Sequence, residues 1–208
     1  MDDGLPKTYR IEEINRLNGF FTLYAVPWAL IGLVSIEFKS RQLTGFLFAL
    51  AFLVNLLLFI YFSGKLNSGE PQPAFSMPQY VLIKNTQQAL TRIYMLVGFA
   101  AAFILVLFIF VLKRPVYLTP LFLIITGFLF VIHRWYYQIQ GEQWIAPAFF
   151  LMALILIILG DHFINWYSWG GFSGATIIWY ACLDRHRMVN DWLQNEGQEP
   201  ESKDEEIE

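Results

Sequence analysis

Six long apolar runs, each bounded by polar or charged residues, constrain this chain more than any other feature of its sequence. They cover roughly Gly19 to Ile36, Leu43 to Ser63, Ile93 to Leu112, Tyr117 to Ile132, Trp144 to Leu159 and Ile164 to Leu183. A helix rises about 1.5 Å per residue and the bilayer hydrocarbon is about 30 Å thick, so a span takes about 20 mostly apolar residues. Hydrocarbon offers the backbone no hydrogen-bond partners, which leaves the helix as the conformation for such runs. The expectation is an all-α fold, a polytopic transmembrane bundle of about six helices with the lipid bilayer as its main partner. Composition agrees: 56% of the 208 residues are hydrophobic and only 15% are charged, more apolar side chain than a soluble domain of this size can bury.

The polar segments divide the rest. Residues 1–18 are polar and mixed in charge, unlike the basic-then-apolar layout of a cleavable signal peptide, so the first run reads as a retained anchor. Residues 19–187 form the membrane domain, interrupted by one long loop, 64–92. Its first half, through Asn67 to Pro73, reads as irregular chain; its second half, Gln79 to Ile93, reads either as a surface helix or as an extension of the third span. Residues 188–208 are acidic and nearly devoid of apolar residues after Trp192 and Leu193, and are expected to be disordered. Lys113-Arg114-Pro115 and Glu37 to Arg41 close spans, because charge is costly in hydrocarbon and Pro115 lacks a backbone donor. Pro27 lies inside the first run, where it should kink or locally break the helix.

Basic residues orient the bundle. With both termini on one side, that side holds Lys7, Arg10, Arg16, Lys65, Lys84, Arg92, Arg134, Arg185 and Arg187, against Lys39, Arg41, Lys113 and Arg114 on the other. The positive-inside rule then makes both termini cytoplasmic, in the cell membrane. Trp135, Tyr136, Tyr137 and Trp144, and on the other side Trp166, Tyr167 and Trp169, read as interfacial belts.

Ionisable and polar residues at membrane depth are the first functional suspects. Glu37 ends the first run, Asp161 and His162 end the fifth, and Asn55 lies nearest the centre of a run. On this threading Glu37, Asp161 and His162 share the outer side, where an acid–imidazole group would bind a cation or relay protons. The plainer reading puts all three in the headgroup region, solvated. His133, Arg134, Glu142, Asp184, Arg185, His186 and Arg187 gather on the inner side, where orientation alone accounts for the basic residues. No pair among His133, His162 and His186 has helical ligand spacing, so no metal site is expected, and no cofactor is implied. Cys182 is the only cysteine and allows no disulfide framework. No basic field suited to nucleic acid is present. Gly170 and Gly174, and Gly98 with Ala102, make small-residue faces for close helix approach, within the bundle or across a homo-oligomer or membrane-protein partner.

The segment Thr119-Pro120-Leu121-Phe122-Leu123-Ile124-Ile125-Thr126-Gly127, with His133 soon after, is similar to a Pro…Ile-x-Gly helix of uncharacterised small bacterial integral membrane proteins with six spans. The resemblance covers under a tenth of the chain. It implies the same fold type and a bacterial cell membrane, and no activity.

The residues suit a small-solute or ion transporter or channel-like protein, with Pro27, Asn55 and the Glu37, Asp161 and His162 group at work. The alternative is a non-catalytic accessory, immunity or assembly subunit acting through its glycine faces and cytoplasmic segments. A lipid-modifying enzyme comes third and requires the inner His, Arg and Asp residues to line a cleft. HExxH, GxSxG and glycine-rich phosphate-loop motifs are all missing from the sequence.

Overall fold

The computed structural model describes residues 5–37, 40–66, 76–137, 139, 142–159 and 165–196. Among them all regular structure is helical: α1 (Lys7–Ser35), α2 (Arg41–Leu66), α3 (Met77–Val106), α4 (Leu118–Tyr137), α5 (Ile145–Leu159) and α6 (Asn165–Glu196). Four helical stretches, Lys7–Ser35, Gln42–Phe62, Met77–Val111 and Pro115–Tyr137, are long and apolar enough to cross a bilayer. At 15 residues, α5 is apolar but about 22 Å long. α6 has 32 residues and ends in polar turns.

Local chemistry sets the helix ends. Gln79 Oε1 accepts the Ser76 backbone N–H at 3.1 Å, half of a capping box, with Pro78 in the first turn of α3. That helix runs unbroken through Gln79 to Ile93, so the second half of the long loop extends the third span. At its other end α3 widens into a π-helical turn, Leu107–Val111. Lys113 then takes a positive φ of 52°, and Pro115 opens a 3-10 turn into α4. α1 remains one helix through Pro27, since neighbouring helices in a bundle tolerate the lost backbone bond. Two helices run on into the polar end segments. α1 begins at Lys7 inside the polar N-terminal segment, and α6 continues nine residues past 187, because buried Val189 and half-buried Trp192 still have α1 to pack on. The rest of the expected tail, 197–208, and the loop stretch Asn67 to Pro73 lie outside the described residues.

The organising contact is α1 against α6, antiparallel along the whole of α1, about 42 Å. Ser35 Oγ donates to Ser168 Oγ at 2.7 Å at one end. Trp179 Nε1 donates to the Thr22 carbonyl at 3.3 Å midway, and Lys7 Nζ to the Trp192 carbonyl at 3.4 Å at the other end. Gly32 makes this approach feasible: a Cβ there would meet the Phe172 backbone nitrogen at 2.7 Å and the Ser168 carbonyl oxygen at 2.9 Å. Gly170 and Gly174 do the same against side chains, lying where a Cβ would be 2.4 Å from Leu156 and 2.5 Å from Leu123. Their close contacts are therefore with α5 and α4 of the same chain. Gly98 is looser, its nearest neighbour the Phe59 ring at 3.5 Å, and Ala102 is half-buried.

We call the end carrying Lys7, Leu66, Met77 and Tyr137 the near end, and that carrying Ser35, Arg41 and Asn165 the far end. Aromatic rings fill the interior. Trp28 is stacked between Phe122 (3.9 Å between centroids) and Phe48 (5.7 Å), while Phe21 leans on Phe130 at 4.9 Å. The outside is as apolar as the inside: Leu96, Phe99, Phe103 and Phe110 of the third helical stretch are 69% to 75% exposed. Exposed apolar surface on this scale has no place in water, and it fits a membrane protein. Of the expected belts, Trp135 and Trp144 at the near end and Trp166 and Trp169 at the far end face outward, whereas Tyr137 and Tyr167 turn into the bundle.

These distances rank the glycines. Gly32→Ala overpacks a backbone contact and is expected to destabilise by about 1–3 kcal/mol. Gly98→Ala should change stability by under about 1 kcal/mol, and Gly19→Ala, with nothing within 4 Å of the added Cβ, should gain up to about 1 kcal/mol of helix propensity. Thermal unfolding of the three variants in one detergent checks the order.

Candidate functional site

Of the four residues expected to act together, the described part of the chain places two, at different depths. Glu37 is exposed in the turn after α1. Asn55 is 4% exposed and lies fourteen residues into α2, about 21 Å from its far-end start. Asp161 and His162 lie outside the described residues. The inner-side group divides as well: Arg134, His186 and Arg187 are exposed and Asp184 is half-buried, while His133 and Arg185 are fully buried together. The Glu142 side chain lies outside the description. Among the described residues no three His, Cys, Asp or Glu side chains gather as metal ligands.

The interior holds instead a column of polar groups at three depths. α4 shows its spacing most plainly: Thr119, Thr126 and His133, all fully buried, recur every seven residues and so sit on one face about 10 Å apart. The near tier surrounds His133. Its Nε2 is hydrogen-bonded to the Tyr94 hydroxyl of α3, and its ring meets Phe21 edge-on at 5.2 Å. Arg185 of α6 lies over both Phe21 (5.2 Å) and Phe130 (4.8 Å). A desolvated guanidinium over two rings gains on the order of 2 kcal/mol per contact, which helps hold a cation that water does not reach. Glu13 of α1, 5% exposed, pairs with Arg16 at 2.6 Å one turn along, and both act electrostatically on Tyr94 and Tyr137.

The middle tier is smaller. The Tyr24 hydroxyl faces Asn55 and Thr126, and Thr126 Oγ1 donates to the Phe122 carbonyl at 2.7 Å. Neither amide atom of Asn55 meets a partner in hydrogen-bonding geometry. A void of about 20 Å³ beside it, lined by Tyr24, Trp28, Asn55 and Gly98 among others, has room for about one water molecule. The far tier consists of Ser35 and Ser168, bonded to each other, with Thr44 and Thr119 at the same end of the bundle.

Every tier contains buried polar atoms with no partner among the described residues: Thr44 Oγ1 and Thr119 Oγ1, then both amide atoms of Asn55 and Trp28 Nε1, then His133 Nδ1 and Asn18 Oδ1. In hydrocarbon such atoms are expensive, and their usual partner is an internal water or ion. Two aromatic layers lie at the depths between the tiers, Trp28 with Phe48 and Phe122, and Phe21 with Phe130.

Asn55 stands out in the sequence by its depth within an apolar run, whereas Tyr24 and Thr126 carry no such mark singly. The seven-residue recurrence of Thr119, Thr126 and His133 was the available signal.

No protein-family model, no curated protein and no solved structure matches this chain.

The Tyr94–His133 bond is the most secluded polar contact in the near tier. In a double-mutant cycle, Tyr94→Phe and His133→Leu should couple by about 0.5–2 kcal/mol in unfolding free energy. Additivity within about 0.3 kcal/mol would show that the bond contributes nothing.

Proposed function

We propose that this chain is a six-span membrane protein, with both termini cytoplasmic in the cell membrane, whose buried column passes protons or a small cation when its aromatic layers open. The near tier then faces the cytoplasm, in keeping with the excess of Lys and Arg on that side. One observation carries the reading: unpartnered buried polar atoms recur at all three depths of one bundle, where packing alone calls for apolar side chains. Hydroxyl and imidazole groups relay protons through hydrogen-bonded water, and a gap of about 10 Å between tiers takes about three waters in a row once the layers open. Ionisable residues at membrane depth, as His133 and Arg185 are here, mark ion and proton pathways. The far-side group of Glu37, Asp161 and His162 would be the outer mouth of the same path.

Liposomes containing the purified chain and a pH-reporting dye, driven by a potassium diffusion potential, test it. Proton uptake should exceed that of empty liposomes and fall at least about tenfold in Asn55→Leu and in His133→Phe, each with the wild-type elution volume. No flux above empty liposomes, or flux indifferent to both substitutions, would overturn the reading.

A second reading, the accessory or assembly subunit, draws on the outward face of α3. Leu96, Phe99 and Phe103 line one stripe of that helix, are each more than two-thirds exposed, and would suit a second membrane helix. Light scattering in mild detergent distinguishes it: a stable homo-oligomer or co-purified subunit lost in Phe99→Ser supports it, and a monodisperse monomer speaks against it.

A further inference from the structure

The far end of α3 packs on the bundle only through partly buried residues such as Leu105 and Phe108, and two grooves flank it. The larger, about 690 Å³, lies against α2 along Phe46, Ala49, Leu50 and Leu53. The smaller, about 510 Å³, lies against α4 along Leu121 and Ile124. Arg114 and Tyr117 line both, with the Arg114 guanidinium 6.0 Å from the Tyr117 ring centre. From the grooves and their shared cationic head, we propose that this is a binding site for an anionic phospholipid, one acyl chain in each groove and the phosphate at Lys113 and Arg114.

Length, charge and backbone each favour this occupant. Between Gln42 and Leu53 the larger groove follows twelve residues of α2, a rise of about 16 Å, which matches half the hydrocarbon thickness and hence the reach of an acyl chain from one leaflet. Its walls are almost wholly apolar, yet its mouth carries two adjacent cations, as a negatively charged headgroup over hydrocarbon chains requires. The backbone at the mouth is unusual in two ways. The π-helical turn Leu107–Val111 widens α3 where the grooves meet, and Lys113 holds a left-handed conformation that side-chain-bearing residues seldom adopt. Both features collect at functional positions, because local strain persists only where something else fixes it. Pro115, one of the residues lining the larger groove, packs on α2 where a Cβ on Gly45 would come within 2.5 Å. The site is independent of the polar column and stands or falls separately from it.

The test is native mass spectrometry of the full chain released from vesicles of equal phosphatidylglycerol and phosphatidylcholine. Wild type should retain one phosphatidylglycerol with an enrichment on the order of tenfold over the vesicle ratio. Lys113→Gln with Arg114→Gln, both exposed positions, should return the bound lipid to the vesicle ratio. Ala49→Phe, which fills the larger groove and leaves both charges in place, should lower occupancy at least fivefold. Retained lipid matching the vesicle composition in wild type, or enrichment that survives either the charge pair or the groove-filling change, would overturn the proposal. Melting temperatures within a few degrees of wild type identify variants that keep the fold. If Ala49→Phe fails that criterion, Leu50→Trp on the same wall replaces it under the same expectation.

Discussion

Everything inside this bundle depends on the backbone-to-backbone approach of α1 and α6 at Gly32. Lipid is as apolar as leucine, so helices in a membrane gain little from hiding apolar surface from one another and associate through close van der Waals contact and hydrogen bonds. Gly32 allows the carbonyl of Ser168 and the backbone of Phe172 to lie almost against α1. From that contact the register of the pair follows, with Ser35 on Ser168 and Lys7 on Trp192. Once α6 is fixed, Gly170 and Gly174 admit Leu156 of α5 and Leu123 of α4. Arg185 is then delivered to the interior between Phe21 and Phe130. The near polar tier thus exists because a glycine some 20 residues away along α1 sets where α6 lies.

The interior alternates two chemistries with opposite costs. Stacked rings such as Trp28 on Phe122 fill space densely and gain from offset or edge contacts. Polar groups between them gain only where partnered, and several are not. Thr126 meets its own helix's carbonyl, an inexpensive arrangement that leaves no donor idle. Asn55 has no such local option, since its amide reaches across to other helices. A bundle selected for packing alone would place leucine there. Asn55, His133 and Arg185 are thus buried polar groups in a mostly aromatic interior, and the proposed path is built on them.

Much of this architecture was legible in the sequence, because span length and charged turns are dictated by the bilayer itself. Glu37 to Arg41 and Lys113-Arg114-Pro115 mark turns that no helix in hydrocarbon carries cheaply; α1 ends at Ser35 and α2 begins at Arg41, and the chain leaves regular α-helix between Val106 and Leu118. The extent of α6 was not legible: Val189 and Trp192 are isolated among polar residues, and only the first turns of α1, which receive Trp192 under Arg10 at 5.6 Å, explain why the helix continues. Gly32 carries no local mark for a related reason: Gly170 and Gly174 stand four apart, whereas Gly32 has no second glycine at that spacing and continues a stripe begun by Ala25 and Ala29. The site was least legible. His133 follows an apolar run and precedes Arg134 and Trp135, the usual dress of a membrane boundary, and its burial is a tertiary fact supplied by Tyr94, Phe21 and Arg185 from three other helices.

The α1–α6 register is the claim on which the polar tiers rest, and cross-linking addresses it directly. Ser35→Cys and Ser168→Cys, introduced into a Cys182→Ser background with a protease site between residues 67 and 75, place two thiols where the hydroxyls now touch at 2.7 Å, a separation that suits a disulfide. Oxidation in native membranes followed by cleavage should leave the two fragments joined on a non-reducing gel. Leu33→Cys in place of Ser35→Cys, on the exposed face of α1, should leave them separate. Fragments that part in the Ser35/Ser168 pair, or that join equally through Leu33, would contradict the register and with it the arrangement of the column.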